Sequence, residues 1–502
     1  MVARIPYKYL VAIVFMFGLF MDLMDTTVVN VAVPDLAKEF SASTSQVEWT
    51  VTGYLLSLAV FIPAAGFLSD RFGTKRVFLA AMGIFVAASA LCGLAQSLEQ
   101  LIAFRFLQGM GGGMMTPVGT AMLSREFPGA ERAKASALIS VPVVFAPTLG
   151  PVLGGYLVEY VSWRWIFYIN LPVGIAGLVF GFRVLEEHRE AYAREGFDFV
   201  GLITGGAAAA MLLYALSEAA TAGWTSSRVV GWGATGLASG LVFAWWELRA
   251  HPPMIDLRLF KRQLFLLGNV MVMPAFGVFS GFIFMLTLYL QQLQGRSPFH
   301  AGLIQAPASI GTAISLPLAS RMYGRLGPRK MMMIGFGFSV LAMAPFTTLN
   351  ADSPAWLVIT FLTLRGLPFA FAMVAAQTII FGPLESEKQG PGSSAYNTLR
   401  QMSASFGVAL IATVQISRMS THVSSLAASA HLAAPTAAIQ RHGMELAFRD
   451  AFIVCLALML IPLALTIFID DKKAADTLQQ RVRESISGPK VGKASAPANI
   501  VH

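Results

Sequence analysis

Charge is what this sequence has least of. Only 13% of its 502 residues are Asp, Glu, Lys or Arg, while 56% are hydrophobic. A soluble globular chain carries about 25% charged residues, so a water-exposed fold is excluded. Cysteine is almost absent: Cys92 and Cys455 are the only two, far apart and both in apolar runs. That excludes a disulfide framework and a cysteine metal site. No nucleophile–base set, no cluster of metal ligands and no phosphate-binding loop can be found, so neither enzymatic chemistry nor a metal or organic cofactor is expected. Acidic residues are missing from the interior of the apolar runs with two exceptions, Asp22 and Asp25 in "MDLMDTT".

What is present is a succession of apolar blocks of about 20 residues, the length that crosses a hydrocarbon core. Fourteen spans are expected, near 9–33, 48–68, 77–96, 98–121, 135–158, 164–183, 198–218, 229–248, 264–290, 299–321, 331–349, 354–381, 392–417 and 447–470. The first is long enough to span and holds both aspartates, so it reads as a membrane helix and not as a cleaved leader. The longest connection, 418–446, is rich in Ala, Ser and His and falls on the outer face. Residues 471–502 form a charged, then Ser/Gly/Pro-containing tail that is expected to be cytoplasmic and disordered.

The net charge of +9 would suit a nucleic-acid partner until the positive residues are located. With these spans, and residues at span ends counted with the adjoining loop, 26 of the 36 Lys and Arg fall on one set of alternating loops and the termini, seven on the other side and three deep within spans. That is the positive-inside pattern, so both termini are expected in the cytoplasm. The basic excess then meets anionic lipid, and no nucleic acid is expected as a partner.

An internal echo divides the chain. "SDRFGTKRVFL" (69–79) returns as "YGRLGPRKMMM" (323–333), and "FRFLQGMGGG" (104–113) as "TLRGLPFAF" (363–371), at offsets of 254 and 260 residues. Two six-helix bundles follow, 1–190 and 256–470, with two spans inserted at 191–255. Repeated halves around a midplane site are a common plan of secondary transporters.

These stretches resemble the major facilitator superfamily, specifically its 14-helix drug:proton antiporter branch. "GFLSDRFGTKR" (66–76) is similar to the loop motif between helices 2 and 3, and "RFLQGMGGG" (105–113) to the helix-4 motif. "APTLGPVLGG" (146–155) resembles the helix-5 antiporter motif, with Ala146 where Gly is usual. "LMDTTVVNVAVP" (23–34), "WRWIFYINLPVG" (163–174) and "NTLRQMSASFGVAL" (397–410) resemble further motifs of the branch. The second loop copy has Gly324 where the first has Asp70, so the two loops are not expected to gate equally.

The resemblance implies roles. Asp70, Arg71, Gly73 and Arg76 would form a cytoplasmic gate, with Gly73 making the turn and charge-assisted bonds gripping helix C-termini. Gly150, Pro151, Gly154 and Gly155 would give span 5 a bent, flat surface between the halves that favours antiport; plain close packing is the rival reading. Asp22, Asp25 and Arg105 are the candidates for proton coupling, the proton being the only coupling ion expected.

Depth gives an independent argument for that set. Arg105 lies about 12 Å in from the outer end of span 4, and Asp25 about 12 Å in from the outer end of span 1. Asp22 and Gln108 fall together about 4–5 Å deeper. Pairing of Asp25 with Arg105 is therefore expected where spans 1 and 4 adjoin. Burial favours the neutral carboxyl and a neighbouring arginine the charged one, so alternation between such surroundings can load and release a proton; a static ion pair is the rival. Asn30, Gln108, Thr116, Arg365, Gln377, Asn397 and Arg400 are candidates for a substrate cavity. Arg365 and Arg400 have no acidic partner within the second half.

The expected function is proton-coupled export of lipophilic or amphiphilic small molecules across a bacterial inner membrane. Two alternatives stand beside it: export of one endogenous lipid, fatty acid or secondary metabolite, and a non-transporting sensor or scaffold. The 418–446 connection is a candidate contact for a periplasmic membrane-fusion adaptor. The sequence does not set the oligomeric state.

Overall fold

Residues 6–127, 132–188, 196–385, 388–431 and 435–469 are described in the computed structural model. The tail expected to be disordered lies outside them. The described residues are helical and contain no strand. The helices are α1 (Tyr7–Glu39), α2 (Thr44–Phe72), α3 (Thr74–Leu94), α4 (Leu98–Glu126), α5 (Arg132–Tyr160), α6 (Trp165–Tyr168), α7 (Asn170–Val184), α8 (Phe199–Ala222) and α9 (Ser227–Glu247). They continue as α10 (Gln263–Leu288), α11 (Pro298–Met343), α12 (Ala355–Phe381), α13 (Gln389–Ser429) and α14 (Ala437–Leu465).

Twelve stretches among the described residues are long and apolar enough to cross a membrane. Helices α6 and α7 together make one of them, and α11 makes two, Pro298–Ala319 and, with the 3-10 turn Ala344–Thr348 that follows it, Leu326–Thr348. Helices α4 and α5, 29 residues each, are not among the twelve. In α4 the glycines and the polar stripe of Arg105, Gln108 and Thr116 dilute the hydropathy of an otherwise long apolar helix.

Local chemistry sets where the helices begin. Ser43 caps α2 in a reciprocal capping box with Gln46, and Ser97, Asp198, Ser226, Ser297 and Thr436 each accept a bond from a first-turn amide. The echoed loops share one backbone device. Gly73, between α2 and α3, has φ +96°, and Gly327, which interrupts α11, has φ +74°. Only glycine holds such a conformation without strain.

One connection differs from expectation. Residues 418–446 are mostly helix: α13 runs to Ser429 and α14 starts at Ala437. Alanine, read as loop composition, is the best helix former, and the two helices pack together there. Gly443 sits against Val423, and Asp450 accepts from His422 Nε2 (2.9 Å) and pairs with Arg418 (3.5 Å).

Packing brings α4 between α2 and α3, and sets α1 against α4, α5 and α7. The N-terminal helices meet the C-terminal ones chiefly where α2 packs on α13 and α5 on α11. Hydrogen bonds cross this junction from Gln291 to the Val31 carbonyl (2.9 Å), from the Phe299 amide to Glu159 (3.0 Å) and from Ser405 to the Thr52 carbonyl (3.0 Å).

Candidate functional site: a buried carboxylate cluster on α1

Asp25 is fully buried at the middle of a five-helix polar knot. Its Oδ2 is paired with Arg105 Nη1 of α4, and its Oδ1 accepts from Gln108 Nε2 (2.8 Å) and Asn170 Nδ2 (3.0 Å). Arg105, itself 1% exposed, spends its other donors on the Thr50 carbonyl of α2 (2.8 Å) and on Gln108 Oε1 (2.6 Å). Its guanidinium also lies over the Tyr54 ring, 4.0 Å from the centroid. Ser89 of α3 completes the set by accepting from Gln108 (2.6 Å) and Asn170 (3.4 Å). Each charge thus has hydrogen bonds beyond its ionic partner, which is what makes a buried pair tolerable.

Asp22 occupies a separate, slightly more open position. At 7% exposure it accepts from the Tyr54 hydroxyl (2.7 Å) and from Thr116 (3.3 Å). Tyr54 therefore touches both centres, bonding Asp22 and lying under Arg105. Arg400 of α13 acts electrostatically on the Asp22 carboxylate, a link between α1 and the C-terminal helices. The close approach needs glycine: a Cβ on Gly112 would sit 3.0 Å from the Tyr54 hydroxyl and 3.1 Å from Asp22 Oδ1, and one on Gly109 2.6 Å from the Tyr54 carbonyl.

Residue depth was informative for Asp25 and Arg105 but misleading for Gln108. Gln108 bonds Asp25, not the aspartate at its own depth, and Asp22 reaches Thr116 instead. Side chains tilt toward the N-terminus of their helix. Helices α1 and α4 run in opposite directions, so Gln108 leans toward Asp25 while Asp22 leans the other way.

A family model described as the Major Facilitator Superfamily matches residues 15–408. The chain belongs to that superfamily. Among its relatives, a multidrug resistance protein B homolog of Mycobacterium tuberculosis is 35% identical over 395 residues, 77% of this chain and 72% of the relative. The tetracenomycin C resistance and export protein of Streptomyces glaucescens is 32% identical over 415 residues, covering 82% and 77%. An MFS-type transporter of Bacillus subtilis, YhcA, is 32% identical over 424 residues, covering 84% and 79%. Among solved structures, an inward-facing, unoccupied bacterial homolog of the human lysosomal transporter Spinster aligns with TM-score 0.63 at 15% identity, over 95% of this chain and 98% of that one. This protein is accordingly a multi-pass membrane transporter of the Major Facilitator Superfamily.

In this transporter the 66–76 motif, the end of α2 and the start of α3 joined at Gly73, grips the end of α7. Lys75 Nζ donates to the Phe182 carbonyl (3.1 Å) and to the Leu185 carbonyl, while the Lys75 and Arg76 amides donate to Glu187 (3.1 and 3.3 Å). Arg76 Nε also pairs with Glu187 (3.5 Å). A lysine on the last carbonyls of a helix is favoured by the helix dipole. Gly73 is held close against Glu187, and Asp70 and Arg71 lie beside it at the end of α2.

The α5 motif splits its glycines between two neighbours. Gly150 and Gly154 lie against Thr27 and Val28 of α1, whereas Gly155 lies against Pro298 and Phe299 of α11. Pro151 backs onto Gly302 of α11.

The remaining cavity candidates, Asn30 of α1 and Arg365, Gln377, Asn397 and Arg400 of the second half, make no hydrogen bond to one another among the described residues. Arg365 is buried with its guanidinium over Phe282 (4.0 Å) and Phe279 (5.5 Å), and Arg400 lies over Phe276 (5.3 Å) with Nε unpartnered. Asn397 bonds back to Ser393 (2.9 Å), Asn30 back to Thr26 (3.4 Å), and Gln377 is exposed. Partly exposed Phe276, Phe279 and Phe369 form an aromatic cluster between the two arginines, with Phe279 and Phe369 stacked at 4.9 Å.

Sequence reasoning missed Tyr54, Ser89, Thr50 and Asn170. Asn170 lies inside the 163–174 motif, which was a usable signal; the others carry none, since only packing brings α2 and α3 to Asp25.

Proposed function

We propose that this protein is a proton-coupled antiporter that exports lipophilic or amphiphilic small molecules by alternating access. The observation that carries the reading is the pair of α1 carboxylates. Asp25 is locked to Arg105 in the interior, and Asp22 is one helical turn away, bonded to Tyr54 and 7% exposed. Protonation of Asp25 would release Arg105, which also holds the Thr50 carbonyl of α2, so proton occupancy and helix packing are linked. Asp25 would carry the proton, and Asp22 would assist or meet cationic substrates. The partly exposed phenylalanines between Arg365 and Arg400 offer an apolar, aromatic wall with positive charge behind it, suited to amphiphiles. Multidrug-resistance names among the relatives support the same class.

In this reading residues 1–190 and 256–470 are two six-helix bundles that rock about the site, 191–255 supply two inserted helices, and α4 and α5 bring the spans to fourteen. The location is a bacterial inner membrane, with both termini cytoplasmic. The protein acts without a cofactor and binds membrane lipid but no nucleic acid, and the α13–α14 hairpin is the surface for any periplasmic adaptor. Labelling tests the topology: cysteines introduced at the exposed positions Ser227 and Ser424 should react with impermeant reagent from outside, and one at Lys330 only from inside. Reaction at Lys330 from outside would end the fourteen-span arrangement.

Reconstituted vesicles test the function. A pH gradient should drive accumulation of several unrelated probes, among them a lipophilic cation such as tetraphenylphosphonium and a neutral dye. Driven movement of a single lipid or fatty acid, with none of the dyes, would favour the dedicated exporter; no driven movement of any probe would contradict the proposal.

A further inference from the structure

Glu48 is a buried carboxylate that the α1 site does not use. It lies near the start of α2 and is 2% exposed, and its Oε2 has no hydrogen-bond partner. The surroundings are a junction of three helices from three parts of the chain. On α2, Ser45 meets Ser217 of α8 (3.1 Å), and the Thr52 carbonyl accepts from Ser405 of α13 (3.0 Å). Thr413 of α13 in turn donates to the Leu216 carbonyl of α8 (2.9 Å). Ser45, Glu48 and Thr52 recur at helical spacing, so Glu48 shares the stripe of α2 that enters this junction. One turn beyond Thr52, Leu56 packs with Ala209, Leu213 and Ala409 in an apolar cluster flanked by Trp49, Leu216 and Phe406.

Nothing near Glu48 compensates a negative charge. Among the described residues no charged group acts on its carboxyl. Of the charges on the adjoining helices, Arg418 of α13 is paired with Asp450, Glu218 of α8 with Arg228 and Arg105 of α4 with Asp25, while Arg400 of α13 lies over Phe276 and acts on Asp22. Helix α10 carries none, and Asp35, Lys38 and Glu39, at the C-terminal end of α1 that leads into α2, line a separate surface hollow with Val158 and Trp163. An ionised carboxylate enclosed without a partner is strongly disfavoured, whereas the neutral acid is tolerated.

We propose that Glu48 is a proton-binding site of the junction between the halves, and that this face closes only with Glu48 protonated. Opening would hydrate the carboxyl and let it ionise, so each closure takes up a proton. The inference needs the rocking of the halves but not the assignment of the transport proton to Asp25. The sign follows from linkage. Raising pH favours the ionised, open form, and the closed-to-open ratio falls by up to about tenfold per pH unit, the limit for one proton.

Spin labels on cysteines at the exposed positions Ser43 and Ser420 span this face, and native Cys92 and Cys455 are buried. Pulsed dipolar distances between the labels should show the short-distance population of the wild type shrinking as pH rises. Glu48→Gln, and independently Glu48→Met, should keep that population large and independent of pH. Asp25→Asn should retain the wild-type dependence. A wild type without pH dependence, or a Glu48→Gln protein that keeps it, overturns the proposal. Dependence lost in Asp25→Asn but kept in Glu48→Gln assigns the titration to α1, which overturns the Glu48 site and leaves the proposed function standing.

Discussion

Asp25→Asn should reduce pH-driven export to the level of empty vesicles while the protein still reaches the membrane and still binds its substrates. Asn is nearly the shape of a protonated Asp, so the variant mimics the permanently loaded state. Its amide oxygen can keep the bonds from Gln108 and Asn170, but Arg105 loses its ionic partner. Removing one member of a buried pair costs about 3–5 kcal/mol in soluble proteins. Some loss of thermal stability is therefore expected, softened because Arg105 retains the Thr50 carbonyl and Gln108. Substrate binding separates loss of coupling from loss of fold. Asp22→Asn should harm cationic substrates more than neutral ones, because Asp22 is the carboxylate with exposure. Export by Asp25→Asn against a gradient at wild-type rates would move the proton to another route.

Gly155→Leu should abolish transport by a different means. A Cβ at this position would lie 2.7 Å from the Phe299 Cα and still closer to the Pro298 carbonyl oxygen, both backbone atoms that cannot turn aside. A leucine must therefore push α5 and α11 apart where the two parts of the chain meet. The expected result is a folded protein that no longer closes this face, with reagent reaching the Glu159–Phe299 contact and export lost. Gly302→Leu, whose Cβ would run into the Pro151 carbonyl from the other helix, should behave alike. Gly83→Ala and Gly231→Ala, where nothing lies within 4 Å, serve as controls and should transport normally. Normal transport by Gly155→Leu would show that this contact is ordinary packing with no part in the cycle.

The sequence carried the Asp25–Arg105 pairing because burial cost singles out charges inside apolar runs, and helical rise converts position into depth. It did not carry the partners that α2, α3 and α7 bring, because Tyr54, Ser89 and Asn170 are unremarkable in their own segments. Glu48 escaped for a related reason. It stands at the first residue of an expected span, where hydropathy cannot tell a solvated end from a buried one. The 418–446 segment differs from expectation because its small residues suit a loop as well as a close-packed helix pair, and contacts that the sequence does not display, Gly443 with Val423 and His422 with Asp450, decide between them. Gly73 was the reverse case: its place in the charged motif marked the turn in the first loop, and the structure shows the same positive φ at Gly327 in the echo.

The central claim is that substrate and proton compete through the α1 carboxylates, and proton release from the purified protein tests it most directly. Weakly buffered protein, titrated with a lipophilic cation or a neutral substrate found in the vesicle assays, should release protons in step with binding, and Asp25→Asn should bind without releasing any. Binding to the wild type with no proton released, or undiminished release from Asp25→Asn, would contradict the account.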